Sequence, residues 1–250
     1  MNDVIHVLSV IEFISALELP RISHHVLRSP PAEAPNTGPS AAITGDSIVS
    51  FVAGLSPQAR EDVLNSTLLM QLAANKRFNK ATQREDWFNF YTEGLGKLGW
   101  TLSKQEMERY TPNQQTFTVD DVALDIMEQV AGGGSFTPIA RRTFESLRNQ
   151  PRLLDLFLSH SNDRNVGTFQ IMPCAQNANG DVSMLLTCMQ VVRNTSNDHI
   201  LFFTFQKNDV IIYRAAQTSV LNTQVYSQVR NAVIEKLGQH ANQFVNNLSL

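Results

Sequence analysis

The chain has 250 residues, of which 42 % are apolar and only 17 % charged. That suffices for a full core within one domain and excludes a largely disordered polypeptide. Twenty basic residues against 23 acidic ones leave a formal charge of −3, which offers no electrostatic footprint for nucleic acid or an anionic membrane. Two cysteines supply neither a disulfide framework nor a four-thiolate zinc site.

At the start, Met1-Asn2-Asp3 brings no positive charge ahead of the apolar run Val4 to Leu19, and Glu12 and Glu18 interrupt that run. It therefore reads as neither a signal peptide nor a membrane span. Val4, Val7, Leu8, Ile11, Phe13, Ile14 and Leu17 fall near helical spacing and Pro20 stops them, which predicts a short amphipathic helix docked on the core. Five of the ten prolines follow between Pro20 and Pro39 without apolar periodicity, as in an extended linker. The expected division is residues 1–44 as helix and linker, with a single domain over 45–250, its boundary near Gly45. His24-His25 would ligate a metal only if further ligands converged.

Ser56-Pro57 forms an N-cap with proline at the first helical position, opening a helix to about Asn75. Thr82-Gln83-Arg84-Glu85 reads as a capping box ahead of a helix presenting Trp87, Phe88, Tyr91, Leu95 and Leu98, with Trp100 entering a short extended piece. Thr118 caps and Gly132 stops the cleanest helical stripe, Val119 to Val130, and Thr137-Pro138 and Pro151 open two more helices. Gly132-Gly133-Gly134 lies between helices and lacks the strand and Lys-Ser/Thr of a phosphate loop.

From Gly167 the period changes. Thr168–Cys174, Val182–Val192, Ile200–Phe205 and Val210–Arg214 predict a four-stranded antiparallel meander whose middle strands are apolar enough to be covered on both faces. Val225, Val229, Val233 and Leu237 predict a closing helix, and Phe244, Val245 and Leu248 a last helical piece after Gly238. The fold class is α+β: a helical N-terminal half packed on a four-stranded meander, with a C-terminal helix.

Familiar catalytic signatures are absent: no Gly-x-Ser-x-Gly, no His-Glu-x-x-His, no Walker Gly-Lys-Ser/Thr and no Cys-x-x-Cys. The two cysteines remain. With Asn179-Gly180 at the hairpin centre, Cys174 faces Leu185 and Cys188 faces Ile171, so a disulfide between them does not form. Cys188 sits mid-strand, as a small buried hydrophobe does. Cys174 stands beside Pro173, which would end the ladder and leave the sulfur where a substrate could approach. A nucleophilic cysteine wants a base. Ser159-His160 and Asp198-His199 fall about 20 Å away at the far end of the meander. Lys207 and Asp209 fall at Cys174's own end, where Lys207 would favour a thiolate if it were more than a surface lysine.

Four stretches together resemble the Erwinia virulence factor family: Leu68–Lys76, Asp86-Trp87-Phe88 through Gly99-Trp100, Gly167–Cys174 and Val225–Arg230. The resemblance runs from about Ser47 to Leu250. It implies a compact domain of unusual fold, a bacterial virulence or host-interaction role tied to persistence in insect guts, and an internal cysteine carrying palmitate as a thioester in an apolar cavity. Cys174 is the position matched to that cysteine, ahead of Cys188. Met70, Met127, Met172, Met184 and Met189 are adaptable residues suited to line such a cavity. The expected partners are a fatty acyl chain or acyl donor and a membrane surface, with no nucleic acid, no metal and no cofactor beyond the covalent acyl group. The expected location is the bacterial cytoplasm or a membrane surface. The alternative is an acyltransferase or thioesterase in which Cys174 is catalytic and holds the acyl group transiently.

Overall fold

The computed structural model describes residues 2–21, 38–132, 134–177, 179–194 and 200–250. The first helix, α1 (Asn2–Ala16), precedes a hairpin of β1 (Ser40–Thr44) and β2 (Ser47–Phe51). Helices α2 (Pro57–Arg77) and α3 (Arg84–Lys97) follow, then the short strands β3 (Trp100–Thr101), β4 (Glu108–Tyr110) and β5 (Thr116–Thr118). Next come α4 (Val119–Ala131), α5 (Phe136–Arg148) and α6 (Pro151–Ser161). The sheet half holds β6 (Asn162–Asp163), β7 (Val166–Gln176), β8 (Val182–Arg193), β9 (Thr204–Gln206) and β10 (Val210–Leu221). The chain closes with α7 (Thr223–Leu237), α8 (His240–Phe244) and β11 (Val245–Leu248).

The fold is α+β, as the change of period predicts, but the sheet is wider than a meander. Its order is β11-β1-β2-β7-β8-β10-β3, with β4 also on β10 and β6 on β7. Among the described residues all its pairs are antiparallel except β2 with β7. Two expectations are corrected here. Ile200–Phe205 is not a strand of this sheet: Ile200 and Leu201 pack into the core, and β9 pairs β5 in a separate ribbon. β10 therefore lies directly against β8. The last residues are not helical either, because Val245–Leu248 form the edge strand on β1.

The boundary expected near Gly45 falls inside this sheet. Ser40–Thr44 pair with both β2 and β11, and Gly45-Asp46 is the hairpin turn. Helix α1 docks as its stripe predicts, burying Val10, Ile14 and Leu17 in the core of the domain. Most of the proline-rich linker and His24-His25 lie outside the described residues, as do Gly133, Asp198 and His199.

Helices cover both faces of the sheet. One apolar cluster joins α1, α2, α3 and α7 to Val49, Met172, Cys174, Met184, Leu186 and Cys188. The other joins α4, α5 and α6 to Ile43, Ile48, Phe169, Ile171, Leu185, Met189 and Val191. Helix α2 is buried without a break from Ser66 to Ala74, so every side of that stretch meets protein, including the polar Ser66, Thr67 and Gln71. Ser56 caps it by accepting from the Ala59 N–H, and Thr118 caps α4 by accepting from the Asp121 N–H. Thr82 does not cap α3: Gln83 holds that position, without a side-chain hydrogen bond.

Candidate functional site

Cys174 is fully buried, not placed at an accessible strand end. Proline at 173 removes one donor without ending the strand. The β7–β8 ladder passes over Met172 and Pro173 and resumes at Cys174↔Met184, while the parallel ladder with β2 runs on through Ser50↔Pro173 to Phe51↔Cys174. Burial pushes the Cys174 thiol far up, toward the neutral form. Its Sγ lies 3.4 Å from the Met172 carbonyl, a weak contact to its own strand.

The register is one residue off the expected one. Gln170 faces Cys188 and Cys174 faces Met184, so both cysteines lie on the same face of the sheet, beneath α2 and α3. A one-residue slip moves a side chain to the other face. Both sulfurs are free thiols. Met70, Met172 and Met184 share their cluster, whereas Met127 and Met189 belong to the opposite face and cannot line a cavity beside Cys174. Tyr91, fully buried above them, donates its hydroxyl to Met172 Sδ at 3.6 Å and stacks on Trp87 at 5.2 Å between ring centroids.

Lys207 and Asp209 are not near Cys174. With β10 directly on β8, the turn before Val210 lies beside Arg193 and Asn194, whereas Cys174 pairs at the other end with Met184. His160, in the last turn of α6, stands at the start of β7, again at the end away from Cys174.

The polar chemistry of this face is instead a buried network that begins at Cys188. Gln170 Nε2 lies 3.8 Å from Cys188 Sγ, and Gln170 Oε1 accepts from Ser47 Oγ at 2.7 Å and from Gln71 Nε2 at 3.0 Å. Gln71 Nε2 also reaches Ser47 Oγ, and its Oε1 accepts from the Asp46 N–H at 3.4 Å. Asp46 pairs with Lys80, which donates onward to the His160 carbonyl at 2.8 Å. Ser47, Gln71, Gln170 and Asp46 are all buried. Burial pushes the Cys188 thiol up to about 12, against a smaller lowering from Gln170. Burial also lowers His160, partly offset by Asp46. The sequence carries one signal for this network: glutamine inside two otherwise apolar runs, Thr168-Phe169-Gln170-Ile171-Met172 and Leu69-Met70-Gln71-Leu72-Ala73.

Two surface clefts are polar and lie elsewhere. One of about 460 Å³ is lined by Lys104, Gln105, Glu106, Glu108, Arg214 and Ala215; the other, of about 210 Å³, by Ala81 to Asp86. Among the described residues no three His, Cys, Asp or Glu side chains converge to hold a metal ion, and no helix is long and apolar enough to cross a membrane.

No family model matches the chain, and no curated protein matches it. Among solved structures it is similar to the Evf virulence factor, at 12 % identity over 94 % of this chain and 89 % of that one, with a TM-score of 0.36. It is also similar to a delta-endotoxin, at 17 % identity over 80 % of this chain and 91 % of that one, with a TM-score of 0.37. At these values neither likeness carries a functional argument.

Proposed function

We propose that the chain carries a fatty acyl group as a stable thioester on Cys174 and does not turn it over, acting as an acylated virulence or host-interaction protein at a membrane surface. The observation that supports this reading is the seat of Cys174: a fully buried thiol in an apolar cluster with Met70, Met172 and Met184, raised by burial and by no other cause. Such a thiol is a poor nucleophile in the closed fold, because the thiolate is the reactive form. Acylation then belongs to an opened or newly made chain. The sulfur bonds the acyl carbonyl carbon of a coenzyme A or carrier-protein thioester, the donor's carbon–sulfur bond breaks, and the cysteine proton leaves with the donor thiol. Folding afterwards buries the acyl chain at a gain of about 0.8 kcal/mol per CH₂, with the flexible methionines shifting to admit it. Water is kept from the thioester by the same packing.

Intact mass of protein from its native source, before and after neutral hydroxylamine, tests this. A labile fatty acyl mass is expected in wild type and in Cys188→Ser, and none in Cys174→Ser. A clean unmodified mass, or an adduct on Cys188, overturns it. Supplied with acyl-coenzyme A, the protein should release at most one equivalent of coenzyme A. Sustained release abolished by Cys174→Ala would make it an enzyme instead.

A further inference from the structure

Helix α1 and the residues just after it are held by side chains of α3, α7 and α8. Lys236 of α7 donates to the Ser15 carbonyl at 2.7 Å, and Lys97 of α3 sits 4.2 Å from the centroid of the Phe13 ring. The third is His240, at the start of α8. Its Nδ1 lies 2.8 Å from the Leu237 carbonyl of α7, and its Nε2 lies 2.8 Å from the Pro20 carbonyl just beyond α1. Both ring nitrogens therefore face acceptors. A neutral imidazole has one N–H, so one of these contacts would set a lone pair against a carbonyl oxygen; only the imidazolium donates to both.

We infer that His240 is a proton-operated strap, which fastens α1 to the α7–α8 corner when doubly protonated and loosens it when neutral. The remaining surroundings do not supply the charge. On α7, Glu235 is exposed and Lys236 is engaged with Ser15; beyond α1, Glu18 and Arg21 are exposed. Phe244 of α8 stacks on the ring at 6.5 Å, and His160 of α6 meets the same phenylalanine at 5.5 Å. Behind His160 stand Lys80 and Asp46, already paired with each other. Among the described residues no carboxylate or ammonium bonds the His240 ring, so the two carbonyl oxygens are what its second proton satisfies. Helix α1 has 15 residues, too few to persist once its buried face is released. Strap and helix therefore open together, and acid favours the closed form because only the doubly protonated ring donates to both carbonyls.

Hydrogen exchange of the full chain, with α1 amides expressed as protection over intrinsic rates and referenced to α2, tests this at about pH 5.5 and about pH 8. Protection of Val10 to Leu17 should be about tenfold greater at the lower pH, the scale of a hydrogen bond to a charged group. His240→Gln should remove that difference, and His240→Arg, a permanent cation with several donors, should keep the helix protected at both values. Equal protection in wild type at both values, or an unchanged pH difference in His240→Gln, overturns the proposal.

Discussion

Ser47 Oγ lies 2.7 Å from Gln170 Oε1, and the two residues are register partners across the parallel pair β2–β7. Because Gln71 of α2 bonds both of them, the buried hydrogen bonds fix helix, hairpin and central strand in one alignment. A register shift would leave three buried polar side chains unpaired.

Gln170→Leu should cost about 2–4 kcal/mol, since Ser47 and Gln71 then keep buried donors without this acceptor. Ser47→Ala should cost about 1 kcal/mol, because it removes one hydroxyl and leaves the two amides bonded to each other. Urea unfolding checks both; a Gln170→Leu cost no larger than that of Ser47→Ala would show that the network does not act as a unit.

Gly45 holds the β1–β2 turn at φ +57, and a Cβ there would come within 2.2 Å of Gln71 Oε1. Gly54 is also left-handed, at φ +96, but a Cβ there meets nothing within 4 Å. Gly54→Ala should therefore cost only the backbone strain, about 1 kcal/mol, and Gly45→Ala about 2 kcal/mol or more as it also displaces Gln71. Thermal melts of the two variants give the difference directly.

Asp62 is buried on α2 and receives two hydrogen bonds of 2.7 Å from Arg230 of α7. These bonds also raise the Arg230 pKa above its ordinary value. Removing one partner of a sealed ion pair costs about 3–5 kcal/mol, but Arg230 keeps 24 % of its side chain exposed. Asp62→Asn should thus destabilise by about 2 kcal/mol, read from the denaturant midpoint.

Burial lowers the His160 pKa in the folded chain. The unfolded chain then takes up the proton first as pH falls, so this histidine's contribution to stability is present above about pH 6.5 and is lost below it, at no more than about 1.4 kcal/mol per pH unit. The gap in unfolding free energy between His160→Gln and wild type should shift in favour of the variant between about pH 7.5 and about pH 5. A gap that stays constant would contradict it. The sign is opposite to that of the His240 strap, so the two are separable.

Both cysteines are buried with raised thiol pKa values. In unacylated protein at pH 8 they should be silent toward Ellman's reagent over minutes and react fully once the chain is unfolded. Rapid reaction of one thiol in native protein would mean that its side of the sheet opens easily.

Much of the fold was legible because it is written in local pattern. Ser56, Thr118 and Gly132 mark helix ends through backbone chemistry that needs no distant partner. The β2–β7 pair was not, since Ser47 and Gln170 stand 123 residues apart and nothing local names the partner. Val245–Leu248 has too few residues to separate strand from helix by period, and its partner β1 decides. At the candidate site the cysteines were found by type, but their shared face was not. Asn177 accepts from the backbone N–H groups of both Asn179 and Asp181, and this turn gives a register one residue from that of a simple Asn-Gly hairpin.

The placement of β2 beside β7 has a consequence for synthesis. The first hairpin leaves the ribosome long before its parallel neighbour exists, and Thr44 must wait longer still for Val245. Contacts so distant along the chain make for high contact order and slow closure. Meanwhile Ile43, Ile48 and Val49, all fully buried at the end, have no cover. The nascent chain therefore passes through a long interval with an open apolar strand pair, which is when a chaperone would be needed.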